Sequence, residues 1–124
     1  MIEKIETNMA PLAIGPYSQA VFDENYIFLS GQIPIDPETG AVVEENILIQ
    51  TEQVIKNIKE ILKATGSDIS KVVKTTCFIK DMVHFDGFNS IYENHFISKP
   101  ARSCVSVKKL PKDSLCEIEV IAKR

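Results

Sequence analysis

The sequence predicts an α+β fold in which two helices pack on one face of a mixed β-sheet, a two-layer arrangement. Three observations predict it: apolar residues at helical spacing between two sets of β-branched runs, turn residues that punctuate each run, and no linker or repeat anywhere in the chain. Ile27-Phe28-Leu29-Ser30 reads as a buried strand. A second strand around residues 17–22 precedes it, with Asp23-Glu24-Asn25 as the hairpin turn. After the Pro37-Glu38-Thr39-Gly40 turn, Ile47, Val54, Ile55, Ile58, Ile61 and Leu62 mark an amphipathic helix, with Asn46 as N-cap and Gly66 as its stop. Residues 72–79 are β-branched and predict a strand. Asp81 then caps a second helix that sends Met82, Phe85, Phe88, Tyr92 and Phe96 to the core, and Pro100 ends that segment. Two strands close the chain, about 102–108 and 115–122, joined by Leu110-Pro111-Lys112-Asp113-Ser114. The expected order is ββ-α-β-α-ββ, one domain over residues 1–124.

Side chains alternate faces along a strand, so parity assigns neighbours. In the final strand Cys116, Ile118, Val120 and Ala122 suit the face under the helices, while Leu115, Glu117, Glu119 and Ile121 point away. Val105 and Val107 are placed with the apolar set of the preceding strand, and Arg102, Cys104 and Ser106 with the other. If these two strands pair, Arg102, Cys104, Glu117 and Glu119 share the face away from the helices. That face mixes apolar and charged groups, which predicts a covering subunit and a closed oligomer with polar clefts at its interfaces.

Composition narrows the function classes. The chain has 124 residues, a net charge of −3 and scattered lysines, so it carries no electrostatic footprint for nucleic acid. Cys77, Cys104 and Cys116 form no Cys-x-x-Cys pair, which disfavours a disulfide framework and gives no zinc-ligand spacing, even with His84 or His95. The odd cysteine count points to a reducing, cytosolic home. The opening residues show no basic region followed by an apolar run, and no stretch approaches a membrane span.

Arginine is the informative residue. Of the 14 cationic side chains only Arg102 and the terminal Arg124 are arginine. A guanidinium presents a planar fork of donors that matches a carboxylate or phosphate, whereas an ammonium is a point charge. Arg102 is therefore a candidate anion clamp. The plainer reading is a solvated or ion-paired arginine, with Glu117 as its structural partner.

Five segments carry a family resemblance: Gly15-Pro16-Tyr17-Ser18-Gln19-Ala20, Ser30-Gly31-Gln32-Ile33-Pro34, Phe88-Asn89 with Tyr92, Pro100-Ala101-Arg102-Ser103-Cys104-Val105, and Glu117-Ile118-Glu119. Together they resemble the signature blocks of the RidA (YjgF-type) reactive-intermediate deaminases. The resemblance implies a chorismate-mutase-like homotrimer with clefts between subunits, and hydrolysis of 2-imino and 2-enamino acids such as 2-aminoacrylate to 2-keto acids and ammonia. It implies no cofactor. On matching positions, Arg102 binds the substrate carboxylate, Glu117 orients or activates water, and Tyr17 shapes the pocket and assists proton transfer. Ser30, Gly31, Asn89 and Cys104 complete the lining. Cys104 has no histidine near it in sequence and reads as a small hydrophobe rather than a nucleophile. Two rival readings are a trimer that binds keto or amino acids for regulation, and a ribonuclease or translation inhibitor. Eleven residues of helical rise set His84 and His95 about 16 Å apart, too far for a paired acid and base.

Overall fold

The computed structural model describes residues 1–124. Six strands, β1 (Glu3–Ile5), β2 (Ala20–Phe22), β3 (Tyr26–Leu29), β4 (Val72–Ile79), β5 (Ala101–Ser106) and β6 (Cys116–Lys123), form one sheet in the order β1-β2-β3-β6-β4-β5. Two helices, α1 (Ile47–Ala64) and α2 (Phe85–His95), cover one face. The mixed α+β sheet is as the sequence predicts. β1 is the strand it does not predict, because three residues are too few to show alternation.

Local chemistry explains the boundaries. The Asn46 side chain accepts the backbone N–H groups of Leu48 and Ile49, capping α1, and Gly66 follows the helix at φ +82. In the β2–β3 turn the Asp23 carboxylate accepts the N–H groups of Asn25 and Tyr26. Asp81 does cap a helical turn, but a 3₁₀ one over Met82–His84, with α2 starting afterwards. Met82 is exposed rather than core, since the 3₁₀ turn rotates it out of the α2 stripe. The helix ends at His95, before Pro100.

The core lies between the helices and the sheet. Val54, Ile55, Ile58, Ile61 and Leu62 of α1 are wholly buried, as are Phe88 of α2 and Ile118 of β6. Truncating one of these aliphatic side chains to alanine would cost about 2–5 kcal/mol.

The pairing of the last strands differs from expectation. β5 does not pair with β6; β4 lies between them, parallel to β5 and antiparallel to β6. The reason is α2: a helical crossover returns the chain parallel to β4, as in a βαβ unit. Register then fixes the faces. Arg102 lies opposite Thr75 and Cys104 opposite Cys77, both on the helix-covered face, whereas Glu117 lies opposite Phe78 and Glu119 opposite Thr76, on the other face. Arg102 and Cys104 therefore do not share a face with Glu117 and Glu119. Val105, opposite Phe78, sits on the uncovered face, 47% exposed, instead of in the apolar layer. β5 is an edge strand, so its apolar residues are not bound to the helix side.

The uncovered face presents Phe28, Val105 and Ile121 beside the two glutamates. No helix of the chain is long and apolar enough to cross a membrane.

Candidate functional site

The predicted site residues fall into two groups on opposite faces of the sheet. The first forms around Glu117. An isolated antiparallel bridge between Gln32 and Ile118 draws the segment after β3 alongside β6. Its two hydrogen bonds, Gln32 N–H to Ile118 C=O at 2.8 Å and Ile118 N–H to Gln32 C=O at 3.2 Å, bring Gly31 against the Glu117 side chain. The approach is so close that a β-carbon on Gly31 would stand 2.8 Å from Glu117 Cδ. The Ser30 hydroxyl donates to the Ser18 carbonyl at 2.6 Å, and the Ser30 N–H to the Gln19 carbonyl at 3.0 Å, so this loop is tied to the segment that carries Tyr17.

Tyr17, Ser30, Gly31 and Glu117 line a common cavity of about 420 Å³, walled by Ile14 and Ile33. Tyr17 Oη accepts the Ile14 N–H at 3.3 Å and the ring is half exposed. Burial raises the Glu117 pKa above the ordinary carboxyl value, and Glu119 two residues along the strand adds to the rise. A carboxyl whose proton is held more tightly than usual, beside an open cavity, is suited to exchange protons with a molecule bound there.

The second group forms around Arg102. Its Nη1 donates to Asn89 Oδ1 at 2.7 Å, and its guanidinium carbon lies 4.8 Å from the Tyr92 ring centroid and 5.8 Å from that of Phe85. Phe85, Asn89 and Tyr92 recur on one face of α2, so a single helix surface holds the arginine. Tyr92 is itself fixed by a 2.7 Å bond between its hydroxyl and Thr75 Oγ1. One edge of the guanidinium is thus engaged by Asn89 while Arg102 also lines an open cavity of about 390 Å³ with Pro100, Lys99 and Glu93. Within one copy Arg102 and Glu117 make no ion pair, because they lie on opposite faces of the sheet.

Cys104 stands beside Cys77 in the register of the parallel strands. The neighbouring Cys77 thiol, followed by the Arg102 charge, lowers the Cys104 pKa to about 7 against the opposing effect of burial. His95 is engaged elsewhere, between Glu52 at 2.9 Å and Lys59 at 2.8 Å on α1.

The sequence assigns Phe85 and Tyr92 to the core, where Tyr92 is buried and Phe85 packs against it; that both rings also clasp Arg102 is not predicted. The signal was present: Phe85, Asn89 and Tyr92 lie at helical spacing, and a polar residue within an aromatic stripe indicates that the stripe faces something charged.

Fold and site together define a two-layer α+β domain with a held arginine on one side and a half-buried carboxyl on the other. Comparison with known proteins places it. The sequence profile of the endoribonuclease L-PSP family matches residues 7–124, and the chain belongs to this YjgF/RutC/RidA family. A RutC family protein of Pyrococcus horikoshii is 52% identical over 123 residues, covering 98% of each chain. The 2-iminobutanoate/2-iminopropanoate deaminase of Salmonella typhimurium is 47% identical over 128 residues, covering 100% of this chain and 99% of its own. The crystal structure of Escherichia coli TdcF with bound serine superposes with a TM-score of 0.93 at 41% identity, covering 98% of both chains.

Proposed function

We propose that this chain is a 2-imino/2-enamino acid deaminase that works as a chorismate-mutase-like homotrimer in the cytoplasm, the Arg102 half-site of one copy facing the Glu117 half-site of the next. The observation that carries this reading is the division itself. Two open half-sites, one offering a carboxylate clamp and the other a proton-exchanging carboxyl, lie on opposite faces of one sheet and cannot serve one small substrate within a single copy. The uncovered face around Phe28, Val105 and Ile121 supplies the apolar area that a second copy would bury. The identity to a named imine deaminase supports the reaction class.

The chemistry follows from the groups present. The free edge of Arg102 takes the substrate carboxylate in a fork, while Asn89 and Tyr92 hold the guanidinium plane. An imine carbon is already electrophilic. Glu117 accepts a proton from a water as its oxygen bonds to C2, and the C=N electrons move to nitrogen, which takes that proton back from Glu117. The resulting carbinolamine collapses: its hydroxyl proton passes to the amino nitrogen, the C–N bond breaks, and ammonia leaves as the C=O of the 2-keto acid forms. Tyr17 borders the path of these protons, and Ser30, Gly31 and Cys104 shape the walls. The reaction needs positioned groups and water rather than a cofactor.

The test is subunit complementation. Arg102→Ala and Glu117→Gln proteins, each expected to retain at most about a hundredth of wild-type turnover of 2-aminoacrylate generated in situ, are unfolded together at equal amounts and refolded. Shared sites predict recovery of about one quarter of wild-type keto-acid release, because each mixed trimer rebuilds one of its three sites. No recovery from mixed trimers, or light scattering that shows a wild-type monomer, overturns the shared site. A trimer that binds 2-keto acids without accelerating release would make ligand capture the function.

A further inference from the structure

The segment that carries Tyr17 has no regular secondary structure, so something else must fix it. Gln19 does. Its side chain is 2% exposed and makes four hydrogen bonds to the preceding strap. Oε1 accepts the Thr7 N–H at 2.7 Å, and Nε2 faces the carbonyls of Thr7 at 3.1 Å, Ala10 at 3.3 Å and Pro11 at 2.7 Å. The Gln19 backbone carbonyl meanwhile accepts the Ser30 N–H. One residue therefore ties residues 7–11 to the loop bearing Ser30 and Gly31. From that anchor the chain runs to Ile14 and Tyr17, which wall the Glu117 cavity.

We propose that Gln19 is a positioning residue for the Glu117 half-site: its side-chain amide locks the 7–14 strap as the wall that keeps bulk water from the carboxyl. Two observations converge on it. The amide spends its donors and its acceptor on the strap, with no partner elsewhere, and the strap's contribution to the cavity is apolar at Ile14 and half-exposed at Tyr17. Burial is also the largest cause of the upward shift at Glu117. Besides Glu117, only Glu119 and Tyr17 carry ionisable groups among the residues lining the cavity, and the β4 neighbours Phe78 and Thr76 are uncharged. Loosening the wall would hydrate Glu117 and return its titration toward the ordinary range, leaving only the Glu119 effect.

The catalytic consequence rests on the deaminase reading, so the experiment has one arm that needs no turnover. Gln19→Ala and the isosteric Gln19→Glu, which keeps the acceptor but loses both donors, are compared with wild type. In the first arm the Glu117 carboxyl is titrated by NMR with ¹³C-labelled glutamate, assigned with Glu117→Gln. In the second, kcat and KM for in situ 2-aminoacrylate are followed across pH. The expected result is a lower Glu117 titration in folded variants, a fall in kcat of about tenfold or more with KM held within about twofold, and an acidic limb moved to lower pH. KM is spared because Arg102 lies in the other half-site. A folded variant with unchanged Glu117 titration overturns the proposal, as does loss of folding in both variants, which would make Gln19 a folding residue. If wild type shows no turnover yet the titration shifts, the deaminase reading fails and the positioning role stands.

Discussion

The Glu117 carboxyl occupies the space that a β-carbon on Gly31 would fill. Gly31 has no need of a left-handed backbone, so the requirement for glycine there is one of room rather than of conformation. Gly31→Ala would push the carboxylate out of its place. The expected outcome is a fall in kcat/KM of about 100-fold, with a stability loss of about 1–3 kcal/mol from the added volume. Steady-state kinetics and denaturant titration measure the two effects separately, and a variant with full activity would show that Glu117 need not sit where it does.

Asn89 fixes one edge of Arg102, which makes its two nearest replacements differ in a telling way. Asn89→Ala removes a neutral acceptor and leaves the guanidinium held only by the aromatic rings, so KM is expected to rise about tenfold. Asn89→Asp supplies a carboxylate within reach of the clamp, and that group competes with the substrate's own carboxylate. KM is expected to rise further in this variant than in the alanine one. The reverse order would mean that Arg102 does not bind the anion.

The sequence made some of this legible and concealed the rest. Asn46, the apolar stripe of α1 and the β-branched run of β4 are local signals, and each appears where it was predicted. The rarity of arginine singled out Arg102 because composition is also directly readable. The face on which Arg102 lies was not readable: it depends on β5 joining β4 through the α2 crossover, a non-local pairing. The apolar side chain of Val105 then pointed parity the wrong way. Edge strands can place apolar residues on an uncovered face, and only the partner strand reveals which face that is.

Raised titration at Glu117 is also a statement about stability. The folded carboxyl holds its proton more tightly than the unfolded one, so this group's contribution to stability is greatest at low pH and is lost as pH rises through its raised value. Once ionised, the group is partly buried and is repelled by Glu119. Glu117→Gln is therefore expected to raise Tm by about 2–5 °C at pH 7.5 and to leave it nearly unchanged at pH 4. Calorimetry at the two pH values checks it. A Tm that falls at pH 7.5 would mean that the ionised carboxyl is stabilised by its surroundings. The same variant is expected to lose about 100-fold in kcat, so a gain in stability paired with that loss would locate strain kept for function.

Thiol reactivity reports on the Arg102 half-site without any substrate. The adjoining Cys77 thiol and then Arg102 lower the Cys104 pKa to about 7, whereas burial pushes Cys116 up to about 12. Cys77 is pushed well above the thiol range by its interaction with Cys104 and by burial. Iodoacetamide at pH 7 is therefore expected to label Cys104 about tenfold faster than either other thiol, with a rate that rises with pH and reaches half its maximum near about 7. Arg102→Ala removes one of the two lowering influences and is expected to move that midpoint upward. Mass spectrometry of the labelled peptides reads both effects. A 2-keto acid held by Arg102 would sit beside the thiol and slow its labelling, and Cys104→Ser is expected to keep most of the turnover, because the attacking group is water. Protection by the keto acid together with an active serine variant would make Cys104 a wall of the anion site; an inactive serine variant would instead give the thiol a chemical role in the reaction.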